Sequence, residues 1–465
     1  MNEPKKLHIV LFPWLAFGHI IPFLELAKLL AKRGHKISFI STPKNIQRLP
    51  KIPPNLANLV HLVTLTLPSE DHLPPNSEAT TDIPTHKVPY LKKAYDNLQC
   101  PLLQFLETST PDWIIYDFAP FWLPRITADL GISSAFFSIY GGWSLTFFGS
   151  SSAMINGDDL RTQPEDFTVP PKWVPFPSKV AFRLHEAKKA LSHVQVNDSG
   201  CSDMFRLGSV MAGCDVIAIR SCFELEGDFL RLVEQLHGKP TLPTGLLPPS
   251  DPDVNGEEDE TWRIISQWLN SQNKGSVVYI AFGSEVEVSQ QELTELAFGL
   301  ELSGLPFFWT LRIKDNSLGL PNEFEERVQG RGLVWKTWVP QLRILSHESV
   351  GGILTHCGYS SIIEALYFGR ALIMLPIALD QGLIARVFEE KKVGVEITRD
   401  EQDGSFTRDS VAESLRLVMV DKEGKEYRDA AKEMRELLAD KDLHDRYVDR
   451  FVELLQHHRV TCNLN

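Results

Sequence analysis

The chain has 465 residues, 43% of them hydrophobic, so it carries apolar material for more than one buried core and is longer than a single domain usually runs. A formal net charge of -13 and a pI of about 5.6 leave no basic field to draw in nucleic acid or anionic lipid, so any phosphate it binds must be held locally. Its six cysteines, Cys100, Cys201, Cys214, Cys222, Cys357 and Cys462, are dispersed with no CxxC pair of zinc-ligand spacing, and a reduced, cytoplasmic compartment is the expectation.

The opening stretch "MNEPKKLHIVLFPWLAFGHIIPFL" places charges before an apolar run, but Pro13, Gly18, His19 and Pro22 interrupt that run before it resembles a signal core or a membrane span. It predicts a strand leading into a helix. "KISFIST", "LVHLVTLTL", "DWIIYDF", "SSAFFSIY" and "DVIAIRS" follow as short apolar strands separated by amphipathic helical stretches, the alternation of a parallel, doubly wound α/β sheet. Residues 241–260, "TLPTGLLPPSDPDVNGEEDE", are Pro-rich and then acidic and predict an exposed linker. The alternation then restarts with "SVVYIAFG", "FFWTLR", "LVWKTW", "GGILTH", "ALIMLPI" and "VGVEI". From Arg408 the pattern is helical, and "HDRYVDRFVELLQHH" is long enough to strap back across the first domain. The expected organisation is therefore a domain over 1–240, a linker over 241–260, a second domain over 261–440 and a terminal helix over 441–465. Polar or Pro-rich segments at 68–86 and 156–178 have the character of binding loops.

The densest chemistry lies in "THCGYSSIIEALYFG", Thr355 to Gly369, where a strand, a tight turn and a helix start coincide. Open amides at such a helix start, with a partial positive charge of roughly 0.5 from the macrodipole, suit a phosphate. His356 and Ser361 could add side-chain donors to the same anion, and a satisfied buried histidine beside capping serines is the plain alternative. Polar groups on either side, from "WVPQLRILSHESVGG" to "ALIMLPIALDQ", sit at strand ends, which face the ligand crevice in doubly wound sheets.

Trp338 to Gln381 spans 44 residues and contains Trp338, Pro340, Gln341, His347, Gly351, Thr355, His356, Cys357, Gly358, Ser361, Glu364, Gly369, Pro376, Asp380 and Gln381. In length and in these positions it resembles the signature box of the plant UDP-sugar-dependent glycosyltransferases. That resemblance implies a GT-B fold, with an acceptor-binding first domain and a donor-binding second domain facing across a cleft. It implies that Trp338 offers its ring to uracil, the Val339 backbone reads the uracil edge, and Gln341 and Glu364 hold the ribose. It further implies that His356, Ser361 and the amides near Gly358 hold the diphosphate, with Asp380 and Gln381 on the sugar. Ser284, in "VVYIAFGSE", is a further diphosphate donor on this reading. The chain departs from the family at Tyr359 and Ser360, where Trp and Asn are usual, so the sugar wall and one phosphate contact are altered. Gln381 favours UDP-glucose by analogy, and UDP-rhamnose stays open.

His19 follows a strand and precedes a helix, and a neutral imidazole there could take a proton from an acceptor hydroxyl. The resemblance makes it the catalytic base. Asp117, at the end of "DWIIYD", could fix its tautomer; a loop aspartate capping the next helix is the structural alternative. The expected reaction is inverting displacement at the anomeric carbon, with no metal cofactor. Stretches such as "STPKNIQRLPKIPPNLANLVHLVTLTLP", "LPPNSEATTDIP" and "FGRALIMLPIALDQG" resemble the branch that extends a sugar already attached to an aglycone. They imply a small-molecule glycoside acceptor, such as that of a terpenoid or flavonoid. Trp143, in "FFSIYGGWSLTFFG", is a candidate acceptor wall, with core packing as its alternative. A monomer without nucleic-acid or membrane partners is expected. Direct transfer to an aglycone hydroxyl, or a non-transferase UDP-sugar enzyme such as an epimerase, remains as an alternative, while a dinucleotide oxidoreductase lacks its GxGxxG turn.

Overall fold

The computed structural model describes residues 5–191, 195–249, 260–283, 286–312 and 317–462. Thirteen strands occur among them. In chain order they are β1 (His8–Phe12), β2 (Lys36–Ser41), β3 (Val60–Thr64), β4 (Trp113–Tyr116), β5 (Ser133–Ser138), β6 (Val216–Ile219), β7 (Thr241–Pro243), β8 (Val277–Ala281), β9 (Phe307–Thr310), β10 (Gly332–Trp335), β11 (Val350–Thr355), β12 (Ala371–Met374) and β13 (Gly394–Glu396). They form two wholly parallel sheets, ordered β3-β2-β1-β4-β5-β6-β7 and β10-β9-β8-β11-β12-β13.

The apolar runs explain the burial. β4, β6, β8 and β12 are buried at every position, as parallel strands covered by helices on both faces must be. One face of the first sheet packs Val10, Phe12, Ile114, Tyr116 and Phe136 against the helices over 88–130. The other packs Ile9, Leu11, Trp113 and Ile115 against the helix Phe17–Lys32. The terminal helix Lys441–Cys462 adds Val448, Phe451 and Leu455 to that second face, and Trp113 Nε1 donates to the Leu455 carbonyl at 2.9 Å. Arg33 ties the same helix down through Asp445 and Asp449.

Ten strands lie inside the apolar runs read from the sequence, and β10 and β11 begin one residue ahead of theirs, at Gly332 and Val350. The exception is β7, which pairs with β6 inside the stretch expected to be linker, so ordered structure of the first sheet reaches Pro243. Its three residues carry a proline, tolerable because β7 is an edge strand. The core of the second sheet also takes in Trp143, Phe147, Phe167, Phe182 and Leu225 from the first half of the chain. The excursion after β5 thus buries its apolar side chains against the second sheet.

In each sheet the strand order reverses between two neighbours, β1 and β4 in the first, β8 and β11 in the second. Loops leave in opposite directions at such a point and open a crevice at the strand ends. Phe12 pairs with Tyr116 and Ala281 with Thr355, so the segments following those four strands emerge side by side.

Candidate active site

His19 stands in the first turn of the helix Phe17–Lys32, seven residues beyond β1, and Asp117 immediately follows β4. His19 Nδ1 lies 2.7 Å from Asp117 Oδ2, and the amides of Trp14 and Phe118 donate to the same carboxylate at 3.0 and 2.7 Å. Asp117 has no exposed side-chain surface, whereas His19 keeps 12%. With Nδ1–H directed at a fixed carboxylate, Nε2 carries the free lone pair and can accept a proton, the resulting imidazolium being stabilised by Asp117. Phe118 and Tyr140 flank the imidazole at 5.6 and 5.7 Å between ring centroids.

Asp380 approaches from the second domain, at the start of the helix Gln381–Glu390. Ser144 donates to its Oδ2 at 3.2 Å, so the carboxylate spans the two domains. Burial pushes the Asp380 carboxyl up to about 6, opposed by the Ser144 hydrogen bond, a backbone hydrogen bond and the charge of His19. Gln381 has its side-chain carbonyl occupied by the amides of Ile377 and Ala378 at 2.9 and 3.0 Å, which orders the loop ahead of Asp380.

Around β11 the expected strand, tight turn and helix start coincide. Cys357 adopts φ +68°, a left-handed conformation that turns the chain sharply, and Gly358 caps the helix Tyr359–Tyr367. The His356 imidazole is wedged between two glycines. A Cβ on Gly283 would fall 2.9 Å from Cε1, and one on Gly358 would fall 2.5 Å from Nε2. Burial lowers the His356 pKa to about 4, with the Ala281 carbonyl opposing, so the ring is neutral near pH 7 and offers a hydrogen bond rather than a cation. Ser361 lies in the first turn of that helix and is partly exposed. Ser284 lies outside the described residues.

Glu364, one turn beyond Ser361, accepts from Gln341 Nε2 at 2.6 Å, and the Tyr279 hydroxyl donates to Gln341 Oε1 at 3.2 Å. Burial raises the Glu364 pKa, with Gln341 and Arg220 opposing. Trp338 is 66% exposed, so its face is open to stack on a planar ring, while the next residue, Val339, is buried.

Trp143 requires correction. It is fully buried in the core of the second sheet, edge-on to Tyr359 at 5.3 Å and to Phe388 at 6.1 Å, and has no face to offer an acceptor. Tyr359 is likewise buried and makes the opposite half of that interdomain contact. Ser360 accepts a hydrogen bond from Arg220 Nη1 at 2.7 Å. Arg220, Tyr140 and Ser144 were not legible as site residues. Arg220 closes the apolar run "DVIAIR" at a strand end, which is the one sequence signal that could have marked it. Among the described residues no cluster of three or more His, Cys, Asp or Glu side chains has metal-binding geometry, and no helix is long and apolar enough to cross a membrane.

Two facing Rossmann-like domains, with a histidine–carboxylate pair on one and a strand–turn–helix start on the other, have the GT-B type of fold. Residues 243–456 match the family model for UDP-glucuronosyl and UDP-glucosyl transferases. UDP-glycosyltransferase 91A1 of Arabidopsis thaliana is 51% identical over 98% of this chain and 97% of its own length. The soyasaponin III rhamnosyltransferase of Glycine max is 44% identical over 99% and 97%. A crystal structure of a Glycyrrhiza uralensis UGT complexed with glycyrrhetinic acid 3-O-monoglucuronide shares the fold, with a TM-score of 0.80 at 21% identity over 99% of this chain and 98% of that one. The chain belongs to the plant UDP-glycosyltransferase family and is a transferase.

Proposed function

We propose that this enzyme transfers glucose or rhamnose from a UDP-sugar to a hydroxyl of a sugar already carried by a small-molecule glycoside, such as that of a terpenoid or flavonoid, with inversion and without a metal. The observation that carries this reading is the His19–Asp117 pair, 2.7 Å apart, with Asp380 of the opposite domain within its electrostatic reach.

On this reading Trp338 stacks on uracil, the Val339 backbone binds its edge, and Glu364 with Gln341 receives the ribose hydroxyls. His356, Ser361, the amides after Gly358 and Ser284 hold the diphosphate, while Asp380 and Gln381 orient the sugar. His19 Nε2 removes the acceptor proton as the acceptor oxygen bonds to the anomeric carbon, the bond from that carbon to the diphosphate oxygen breaks, and UDP departs with the electron pair. Attack opposite the leaving group inverts the configuration. The neutral imidazole, the hydroxyls and the helix amides then stabilise the departing charge. A saponin is by definition a glycoside, so the soyasaponin specificity in the name of the Glycine max relative supports a glycosylated acceptor and keeps rhamnose beside glucose as donor.

The test is a panel of UDP-glucose and UDP-rhamnose against free aglycones and their monoglucosides, read as UDP release and product mass. UDP release that depends on a monoglucoside is expected; turnover confined to free aglycones would overturn the sugar–sugar assignment. His19→Ala should abolish transfer while UDP binding persists, and retained turnover would remove the base.

A further inference from the structure

Arg220 is buried to 4% exposure at the end of β6, and its guanidinium is held by three oxygens. Nε donates to the Leu246 carbonyl at 2.9 Å, Nη2 to the Leu247 carbonyl at 3.3 Å, and Nη1 to Ser360 Oγ at 2.7 Å. Its Cζ also lies 5.7 Å from the centroid of the Tyr359 ring. All three acceptors are neutral, and among the described residues no carboxylate stands within ion-pair distance of it. A guanidinium taken out of water with no carboxylate in contact is costly; burial is the larger influence here, Glu364 and Glu25 offset its charge only from a distance, and a bound anion would supply the rest.

The geometry says where that anion belongs. Ser360 is the second residue of the helix Tyr359–Tyr367, between the Gly358 cap and Ser361, in the turn proposed to hold the diphosphate. Its hydroxyl accepts from Nη1, so its own hydrogen is directed away from Arg220 and is free to donate. A hydroxyl that accepts from a cation is a stronger donor to the next acceptor. Arg220 comes from the first domain and Ser360 from the second, so the bond also ties the anion turn to the opposite domain.

Resting on the donor site proposed above, we infer that Arg220 is a positioning residue for the donor diphosphate. It orients Ser360 Oγ–H toward a phosphate oxygen and places a positive charge with no carboxylate in contact behind the turn, so that donor affinity depends on a residue of the acceptor-side domain. Donor binding and closure of the two domains are thereby linked: whatever strengthens one strengthens the other.

The test is isothermal titration with UDP alone, on the unaltered enzyme and on Arg220→Met, Arg220→Lys, Ser360→Ala and the Met/Ala double variant, with each melting temperature recorded. Arg220→Met and Ser360→Ala should each weaken UDP about tenfold. The double variant should bind no more weakly than Arg220→Met, because both changes break one relay. Arg220→Lys, which keeps the charge, should fall between the unaltered enzyme and Arg220→Met. A purely structural arginine would lower the melting temperature of its variants while leaving Ser360→Ala at full affinity. Ser360→Ala binding within twofold of the unaltered enzyme, or single losses that multiply in the double variant, overturns the inference. Should Arg220→Met fail to fold, Ser360→Ala and Arg220→Lys decide it. If the unaltered enzyme binds no UDP, the donor-site reading itself falls and this one with it.

Discussion

Asp117 shows how a single side chain can set the chemistry of another. Its carboxylate is held by two backbone amides, so it cannot swing away from His19, and it leaves Nε2 as the imidazole's lone-pair nitrogen. Asp117→Asn replaces an acceptor with a group that can present N–H to Nδ1 and stabilise the wrong tautomer. It should lower kcat by about 100- to 10,000-fold with UDP affinity unchanged, read by steady-state kinetics and titration calorimetry. A second residue-scale effect concerns acid stability. Burial lowers the His237 pKa to about 4, and its Nδ1 accepts from the Ser151 amide at 3.2 Å. The unfolded chain takes up that proton near the ordinary histidine value of 6.5, the folded one only near 4. Its contribution is therefore complete above about pH 6.5 and is lost as pH falls toward 4. His237→Gln should show a smaller drop in urea midpoint between pH 7 and pH 4.5 than the unaltered enzyme.

At the scale of elements, the segment from β11 into the helix Tyr359–Tyr367 works because small residues let backbone and imidazole approach closely. A methyl on Gly358 would meet His356 Nε2 at 2.5 Å, and the imidazole, enclosed on its other side by Gly283, has little room to retreat. Gly358→Ala should weaken UDP at least about tenfold, measured by calorimetry, and also lower the melting temperature, because the cap backbone, φ -60° and ψ 130°, suits alanine but the overlap with the buried imidazole costs about 1 to 3 kcal/mol. The strands and the tight turn between β11 and the next helix were legible because apolar runs and turn residues are local signals. β7 was not, since three residues with a proline in a Pro-rich stretch carry no periodicity and pair only because β6 offers an open edge. Trp143 misled for a related reason: an aromatic in an apolar run looks the same whether it lines a pocket or fills a core.

Over the whole molecule, the two domains are joined by buried charge as well as by apolar packing. Glu396, with 1% of its side chain exposed, pairs with Arg386 from its own domain and with Arg183 from the first, and Arg386 also pairs with Glu186 at 2.6 Å. Removing the shared carboxylate takes one partner from each of two guanidinium groups, leaving Arg386 on Glu186 and Arg183 on Glu401. Glu396→Ala should cost about 1 to 3 kcal/mol, seen as a lower melting temperature and an earlier denaturant midpoint. Together with Ser144–Asp380 and Arg220–Ser360, these contacts make the crevice a joint product of both halves of the chain.

Read alone, the alternation of apolar runs and helical stretches determined the fold class, because strand ends, turns and caps are written in short-range patterns, while the resemblance carried by Trp338 to Gln381 supplied most of the donor-side candidates. Which groups meet across the cleft was decided only by tertiary structure. Arg220 and Ser360 are separated by 140 positions, and Ser144 and Asp380 by 236. Contacts at that range depend on how two sheets are oriented, and no local pattern encodes an orientation.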